Sequence, residues 1–273
     1  MVHARPYVQG WFPEGRPVGS FVISHGLAEH GGRYATLAAE LNAAGWAVHA
    51  IDHAGHGHSA GRRADIGSMR RVVDDLAGVV RLARENASAA PVVLFGHSMG
   101  GLIASKCALE LRAELAGLVL SAPALDPGEA APAWRVQLGR LLAKVAPGVG
   151  MLTLPAEALS RDPAVVQAYE RDPLVYRGSI PVRTLMEMLV AMQQVVEAAP
   201  ALQVPVLIQH GTADRLVSLP AVEGIYQRLG EPARRTLITY AGLYHEIYNE
   251  PERVQVVADL LAWLKRWPAR PAS

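Results

Sequence analysis

Ser98 stands in Gly96-His97-Ser98-Met99-Gly100, after the apolar run Val92-Val93-Leu94-Phe95 and before a helix-like segment that begins near Met99. A serine hydroxyl is a poor nucleophile at neutral pH. Acyl transfer through it needs a base to take its proton and a third group to orient that base. When the serine sits on a strand-to-helix turn, the acid and then the histidine follow it in the chain. Two histidines follow Ser98, namely His210 and His245. His210 precedes the candidate acid and reads as a packed, hydrogen-bonded structural histidine. His245 alone comes after Asp214 and is the expected base. Asp214 closes Gly211-Thr212-Ala213-Asp214, just past a strand pattern, and is the expected acid. Its plainer reading is a turn-forming aspartate. Asp126, also downstream of a strand, is the rival.

The flanking glycines have a mechanical reason. A strained turn lifts the serine above the sheet only if neighbouring backbone passes close by, where a Cβ would collide. The helix that follows aims its N-terminal N–H groups at the reacting centre. The Met99 N–H is one expected oxyanion donor; the second comes from the His25-Gly26-Leu27 loop and is assigned to Leu27. One such donor is typically worth about 3 kcal/mol of transition-state stabilisation.

Strands are expected at 7–11, 18–24, 46–51, 92–95, 115–120, 204–209 and 234–240. Helices are expected from Tyr34 to Gly45, from Ser68 to Asn86, after Ser98, at 182–198 and 219–229, and from Pro251 to Trp267. The Met69, Val72, Val73, Leu76, Val79, Val80 and Ala83 stripe marks the Ser68 helix as amphipathic. Asp65 just before it suits the helix dipole. Strands alternating with helices imply an α/β fold, a mostly parallel sheet covered on both faces. The rhythm breaks between 124 and 179, where six prolines punctuate short helical pieces. A connection this long is usually functional. Residues 124–179 therefore read as an inserted cap on a core of 1–123 and 180–273, or as a plain structural excursion. Trp134 to Val145 and Met151 to Leu154 are its apolar stretches; they suggest transient contact with a lipid surface, or simple packing on the core.

The chain has 273 residues, 51% hydrophobic and 19% charged, with a formal net charge of +1. Such a balance gives no electrostatic support for nucleic-acid binding. The N-terminal residues lack the apolar core of a signal peptide, and no apolar run reaches the length of a membrane span. One cysteine, Cys107, excludes an intramolecular disulfide. These features fit a cytoplasmic enzyme. Three histidines in Asp52-His53-Ala54-Gly55-His56-Gly57-His58-Ser59 suggest metal ligands, but the loop lacks a recognisable ligand spacing. A hydrogen-bonded loop beneath the site is the favoured reading, and serine-based acyl transfer needs no metal or cofactor.

Together these motifs resemble the monoacylglycerol lipases of the α/β-hydrolase superfamily, bacterial members above all. The resemblance lies in His25-Gly26-Leu27-Ala28-Glu29-His30 with Arg33-Tyr34, the Asp52 to Ser59 loop, Gly96 to Gly101, Ser121-Ala122-Pro123, Gly211 to Asp214, and Tyr244-His245-Glu246 with Asn249-Glu250. In the presumed cap, Ser160-Arg161-Asp162-Pro163 and Asp172-Pro173-Leu174-Val175 fit the same pattern. The resemblance implies an α/β-hydrolase fold with a helical cap. It also implies hydrolysis of monoacylglycerol to glycerol and fatty acid through an acyl-enzyme on Ser98. Glu29 and Arg33 match positions implicated in holding the glycerol head; an internal Glu–Arg pair supporting the loop is the other reading. Tyr248 stands where some relatives carry a second histidine. Lysophospholipases and broad carboxylesterases share most of these motifs.

Overall fold

The computed structural model describes residues 5–86, 90–111, 114–126 and 133–266; within them, nothing is said of the side chains of Asn86 and residues 133–135. The elements, in chain order, are β1 (Val8–Trp11), β2 (Gly19–Ser24), α1 (Ala35–Ala43), β3 (Trp46–Ile51), α2 (Met69–Asn86), β4 (Val92–His97), α3 (Met99–Glu110) and β5 (Gly117–Ser121). There follow α4 (Ala133–Val145), β6 (Gly150–Leu152), α5 (Pro163–Arg171), β7 (Ile180–Pro181), α6 (Val182–Ala198), β8 (Val206–Gly211), α7 (Leu219–Arg228), β9 (Arg235–Tyr240) and α8 (Arg253–Arg266). The apolar Trp134 side chain and the Pro268 to Ser273 tail lie outside the described residues.

Seven strands form one sheet in the order β1-β3-β2-β4-β5-β8-β9. Only the edge pair β1–β3 is antiparallel. Strands β2, β4, β5 and β8 are buried at every position, as a parallel sheet covered on both faces requires. One face packs on a core fed by α2, α3, α6 and α7, and the other on α1 and α8. The chain winds outward from β2 to β3, then returns to place β4 on the other side of β2. That reversal opens a crevice at the carboxyl ends of β2 and β4, where ligands of such sheets bind.

Three expectations need correction. Strand β4 runs two residues past Phe95, because Gly96 and His97 continue the ladder against Leu120 and Ser121. Helix α8 starts at Arg253, two residues after Pro251, which sits in a turn. Asp65 does not face the start of α2: it accepts from Gly67 N–H at 3.0 Å and from Arg183 Nε at 3.0 Å. The α2 N-terminus is held instead by Ser68 Oγ, 3.3 Å from Arg71 N, and by the α6 carboxylate of Glu187, 2.7 Å from Met69 N.

Between β5 and α6 the chain leaves the sheet. Here β6 and β7 pair antiparallel, Gly150 opposite Pro181 and Leu152 opposite Ile180. This ribbon is too short to show an alternating pattern in sequence. Apolar side chains are exposed in this stretch: Leu138, Leu141 and Val145 of α4, with Val149, Met151 and Leu152.

The loop after β3 is stitched beneath the crevice. Asp52 accepts from Gly31 N–H at 2.7 Å and from His58 N–H at 2.8 Å. The His53 N–H donates to His25 Nε2 at 3.0 Å, and the His53 ring meets Ser24 Oγ at 2.8 Å. His25, His53 and His56 are fully enclosed, and burial pushes all three imidazoles down, His56 to about 3. They are neutral in the fold. Below about pH 6.5 the unfolded chain binds protons that these buried rings refuse, so stability falls with falling pH. Each such ring steepens the fall by about 1.4 kcal/mol per pH unit. Urea unfolding at pH 7, 6 and 5 is expected to show this slope, and His56→Gln is expected to make it shallower by roughly one ring's share.

Candidate active site

Strand β4 delivers Ser98 into a turn with φ 52° and ψ −119°, a left-handed backbone that non-glycine residues adopt only under constraint, at about 1–3 kcal/mol. The constraint is visible. Ser98 N–H donates to the Ser121 carbonyl at 3.0 Å, and the Ser98 carbonyl accepts from Gly101, Leu102 and Ala124 at 2.9, 3.2 and 3.0 Å. A Cβ on Gly96 would lie 2.4 Å from the Gly100 carbonyl oxygen, and one on Gly100 2.0 Å from that of Ser24. The close approach expected at both glycines is present.

Asp214, just past β8, accepts His245 Nδ1–H on Oδ2 at 2.8 Å. Its Oδ1 accepts from Leu216 and Val217 N–H at 2.8 and 3.0 Å. Burial alone would raise the Asp214 carboxyl, but His245 and the two backbone donors bring it below the ordinary carboxylate range. It is ionised at neutral pH. The carboxylate fixes the His245 tautomer with the proton on Nδ1, leaving Nε2 as the basic atom. Asp126, the rival acid, is exposed on the rim.

Ser98 and His245 face one cavity of about 470 Å³. Gly26, Leu27, Glu29, His97 and Glu246 line it near them. Its remaining wall is largely apolar: Val136, Met151, Leu152 and Leu154 from the excursion, and Leu185, Met186, Met188, Leu189 and Met192 from α6. The α6 contribution was missed in sequence, although the Leu185, Met188, Leu189, Met192 spacing is that of one helix face. The His97 ring packs 4.7 Å from that of His245, and burial pushes it down to about 4, so it stays neutral.

The loop after β2 is shaped from within. Gly26 N–H donates to Glu29 Oε1 at 2.6 Å, which removes it as a free donor. Leu27 lines the cavity. Met99, the other expected donor, is buried at the first position of α3. Glu29 also accepts from Tyr34 Oη at 2.8 Å and from Arg33 Nη1 at 2.7 Å. Arg33 meets Glu246 through both terminal nitrogens, at 2.6 and 2.7 Å. Of the two residues matched to a glycerol pocket, Glu29 lines the cavity, whereas Arg33 is occupied by two carboxylates behind it. Burial opposes ionisation of Glu29, and Arg33, His97, His25 and the Gly26 N–H together more than reverse this, holding the carboxyl well below its ordinary range. Glu246 as the second partner was missed; its place beside His245 was the available signal. Tyr248 Oη donates to Gln209 Oε1. Tyr248 borders a cavity of about 10 Å³ with Glu29, Tyr34 and His97, room for about one water molecule.

Among the described residues, no group of three or more His, Cys, Asp or Glu side chains is placed to hold a metal ion, and no helix is long and apolar enough to cross a membrane.

A largely parallel sheet, a serine on a strained strand-to-helix turn, and an Asp–His pair facing that serine's cavity define an α/β-hydrolase. The family model described as Serine aminopeptidase, S33 matches residues 15–252. A monoacylglycerol lipase of Mycolicibacterium smegmatis is 37% identical over 93% of this chain and 90% of its own. The monoglyceride lipase of Homo sapiens is 34% identical over 94% of this chain and 85% of its own. The crystal structure of Paleococcus ferrophilus monoacylglycerol lipase superposes with a TM-score of 0.84 at 32% identity, covering 96% of this chain and 98% of that one. The chain belongs to this α/β-hydrolase family and, within it, to the monoacylglycerol lipases.

Removing the Arg33 charge would leave two carboxylates buried together. Arg33→Met is expected to cost about 3–5 kcal/mol in chemical denaturation at pH 7. Wild-type Glu29 and Glu246, held below their ordinary range, stabilise the fold above it. In the variant the repelling pair is raised instead, so its deficit is expected to shrink as pH falls toward 5.

Proposed function

We propose that this chain is a serine ester hydrolase that cleaves monoacylglycerol to fatty acid and glycerol. The observation that carries the reading is one cavity holding a constrained Ser98 and an Asp214-oriented His245 at its polar end and an apolar wall beyond. The named relatives support the substrate class.

In this reading Ser98 Oγ attacks the ester carbonyl carbon while His245 Nε2 takes its proton. Asp214 holds the ring and stabilises the imidazolium that forms. The N–H groups of Met99 and Leu27 receive the developing oxyanion. Collapse of the tetrahedral intermediate breaks the bond to glycerol, which leaves with the proton from His245. Water, activated by the same base, then releases the fatty acid. The apolar wall takes the acyl chain, and Glu29 and Arg33 act by holding the loop that carries Leu27. Residues 124–179 are the cap over a core of 1–123 and 180–273. The exposed apolar side chains of α4 and β6 meet the lipid surface from which substrate is drawn, making the enzyme peripheral to membranes.

The test is steady-state hydrolysis of a monoacylglycerol chain-length series beside matched diacylglycerols, lysophospholipids and simple alkyl esters. A clear preference for monoacylglycerols is expected. Equal rates on simple esters would reduce the reading to a general carboxylesterase. Ser98→Ala is expected to lower kcat by about 10⁶-fold; unchanged turnover in that variant would overturn the assignment. Leu141→Asp with Val145→Asp is expected to reduce co-sedimentation with phosphatidylcholine vesicles, and unaltered binding would remove the surface role.

A further inference from the structure

Asp214 has a second imidazole against it. His210, the penultimate residue of β8, is completely buried. Its Nε2 lies 3.3 Å from Asp214 Oδ2 and 3.2 Å from the Val217 carbonyl oxygen. The same Oδ2 accepts the Nδ1–H of His245 at 2.8 Å. A carbonyl oxygen and an ionised carboxylate only accept, so the His210 proton must sit on Nε2. Its Nδ1 is then bare, and that atom is buried without a hydrogen-bond partner among the described residues. Burial, opposed by Asp214, keeps this imidazole neutral at physiological pH. His210 and His245 therefore carry opposite tautomers on the two sides of one carboxylate oxygen.

This one nitrogen bonds the far end of a single turn and lies beside its near end. Val217 gives its N–H to Asp214 Oδ1 and takes the His210 proton on its carbonyl. His210 thus grips the turn that orients Oδ1 and also touches Oδ2 directly. Without it, the carboxylate would be held only by the backbone donors at Oδ1 and by the His245 ring that it must itself orient.

We propose that His210 is a positioning residue for the hydrolysis assigned above: by donating to Val217 O and holding the same N–H edge 3.3 Å from Asp214 Oδ2, it steadies the turn that orients the carboxylate and takes up part of its charge. Two consequences follow for His245. Its Nδ1–H meets one defined lone pair, and the carboxylate pulls on the imidazolium less strongly than an unshared one. The charged and titratable groups facing His210 are Asp214, His245 and Glu223 of α7. Those facing the His245 ring are Asp214, His97, His210 and the neighbouring Glu246.

The proposal rests on the ester-hydrolase reading, and the experiment separates the two. His210→Leu keeps an apolar side chain there but has no donor; His210→Gln returns an N–H near the Nε2 position. In His210→Leu, kcat on a soluble acyl ester is expected to fall about tenfold with KM unchanged. The acid limb of kcat/KM is expected to move to higher pH, and the His245 Nδ1 proton to move downfield in ¹H NMR. His210→Gln is expected to restore most of the rate and the proton position. Wild-type kcat, pH profile and proton position in His210→Leu would overturn the proposal. So would equal losses in both variants that track Tm while the proton signal stays in place. If the unaltered enzyme shows no Ser98-dependent turnover, the hydrolase reading fails, and the NMR comparison alone still decides the role of His210.

Discussion

Arg33 donates to Glu29 and Glu246 from one buried guanidinium, and through those carboxylates the loop after β2 is tied to the loop after β9. Glu29 passes the restraint to Gly26 N–H, one residue from Leu27. Glu246 passes it to the segment next to His245. Three desolvated charges are expensive, by several kcal/mol per ion before their attraction is counted. Here bidentate geometry at Glu246 and further donors from Gly26, Tyr34 and Asn249 give each carboxylate three hydrogen bonds. The Gly26–Leu27 loop and the His245 segment are thereby referred to one common cation. The return is precision of position more than net stability.

The sheet supplies the rest of the frame. Strands β2 and β4 lie side by side where the chain reverses its winding direction. The loop after one holds the expected oxyanion donor, and the turn after the other holds Ser98. Strain at Ser98 survives because its N–H and carbonyl are both engaged and the neighbouring glycines admit backbone at distances no Cβ allows. The Asp214–His245 pair approaches from the ends of β8 and β9, which are held in register through Gly211 and Tyr240.

What was legible in the sequence was what is local. The elbow could be read because its strand, glycines and helix are contiguous, and the Asp214–His245 pairing because the order of the two along the chain is restricted. The core strands could be read because unbroken apolar runs mark burial on both faces. Partners far apart could not. Arg33 and Glu246 are separated by 213 residues. The Glu187 carboxylate that caps α2 comes from 118 residues away, so the nearby Asp65 looked the better candidate. Glycine at position 96 looked like a strand end because pattern rules treat glycine as punctuation, while the ladder tolerates it. A segment's period tells which face is buried but is silent on what covers it, so α6 was placed as a helix but not recognised as a cavity wall.

Helix α6 stands in two structures at once. Met188 and Met192 line the cavity and also belong to the core that contains Leu102, Ile103 and Cys107 of α3, the helix that follows Ser98. Met151 and Leu152 of β6, also in the cavity wall, are exposed and belong to none of the core clusters of the described residues. Descent with modification meets these two walls unequally. The rim can drift one residue at a time, changing what enters, while α6 can change only in concert with α3. Divergence in tail preference among such enzymes should therefore be written mainly in the rim, and the α6 wall should record older, slower history.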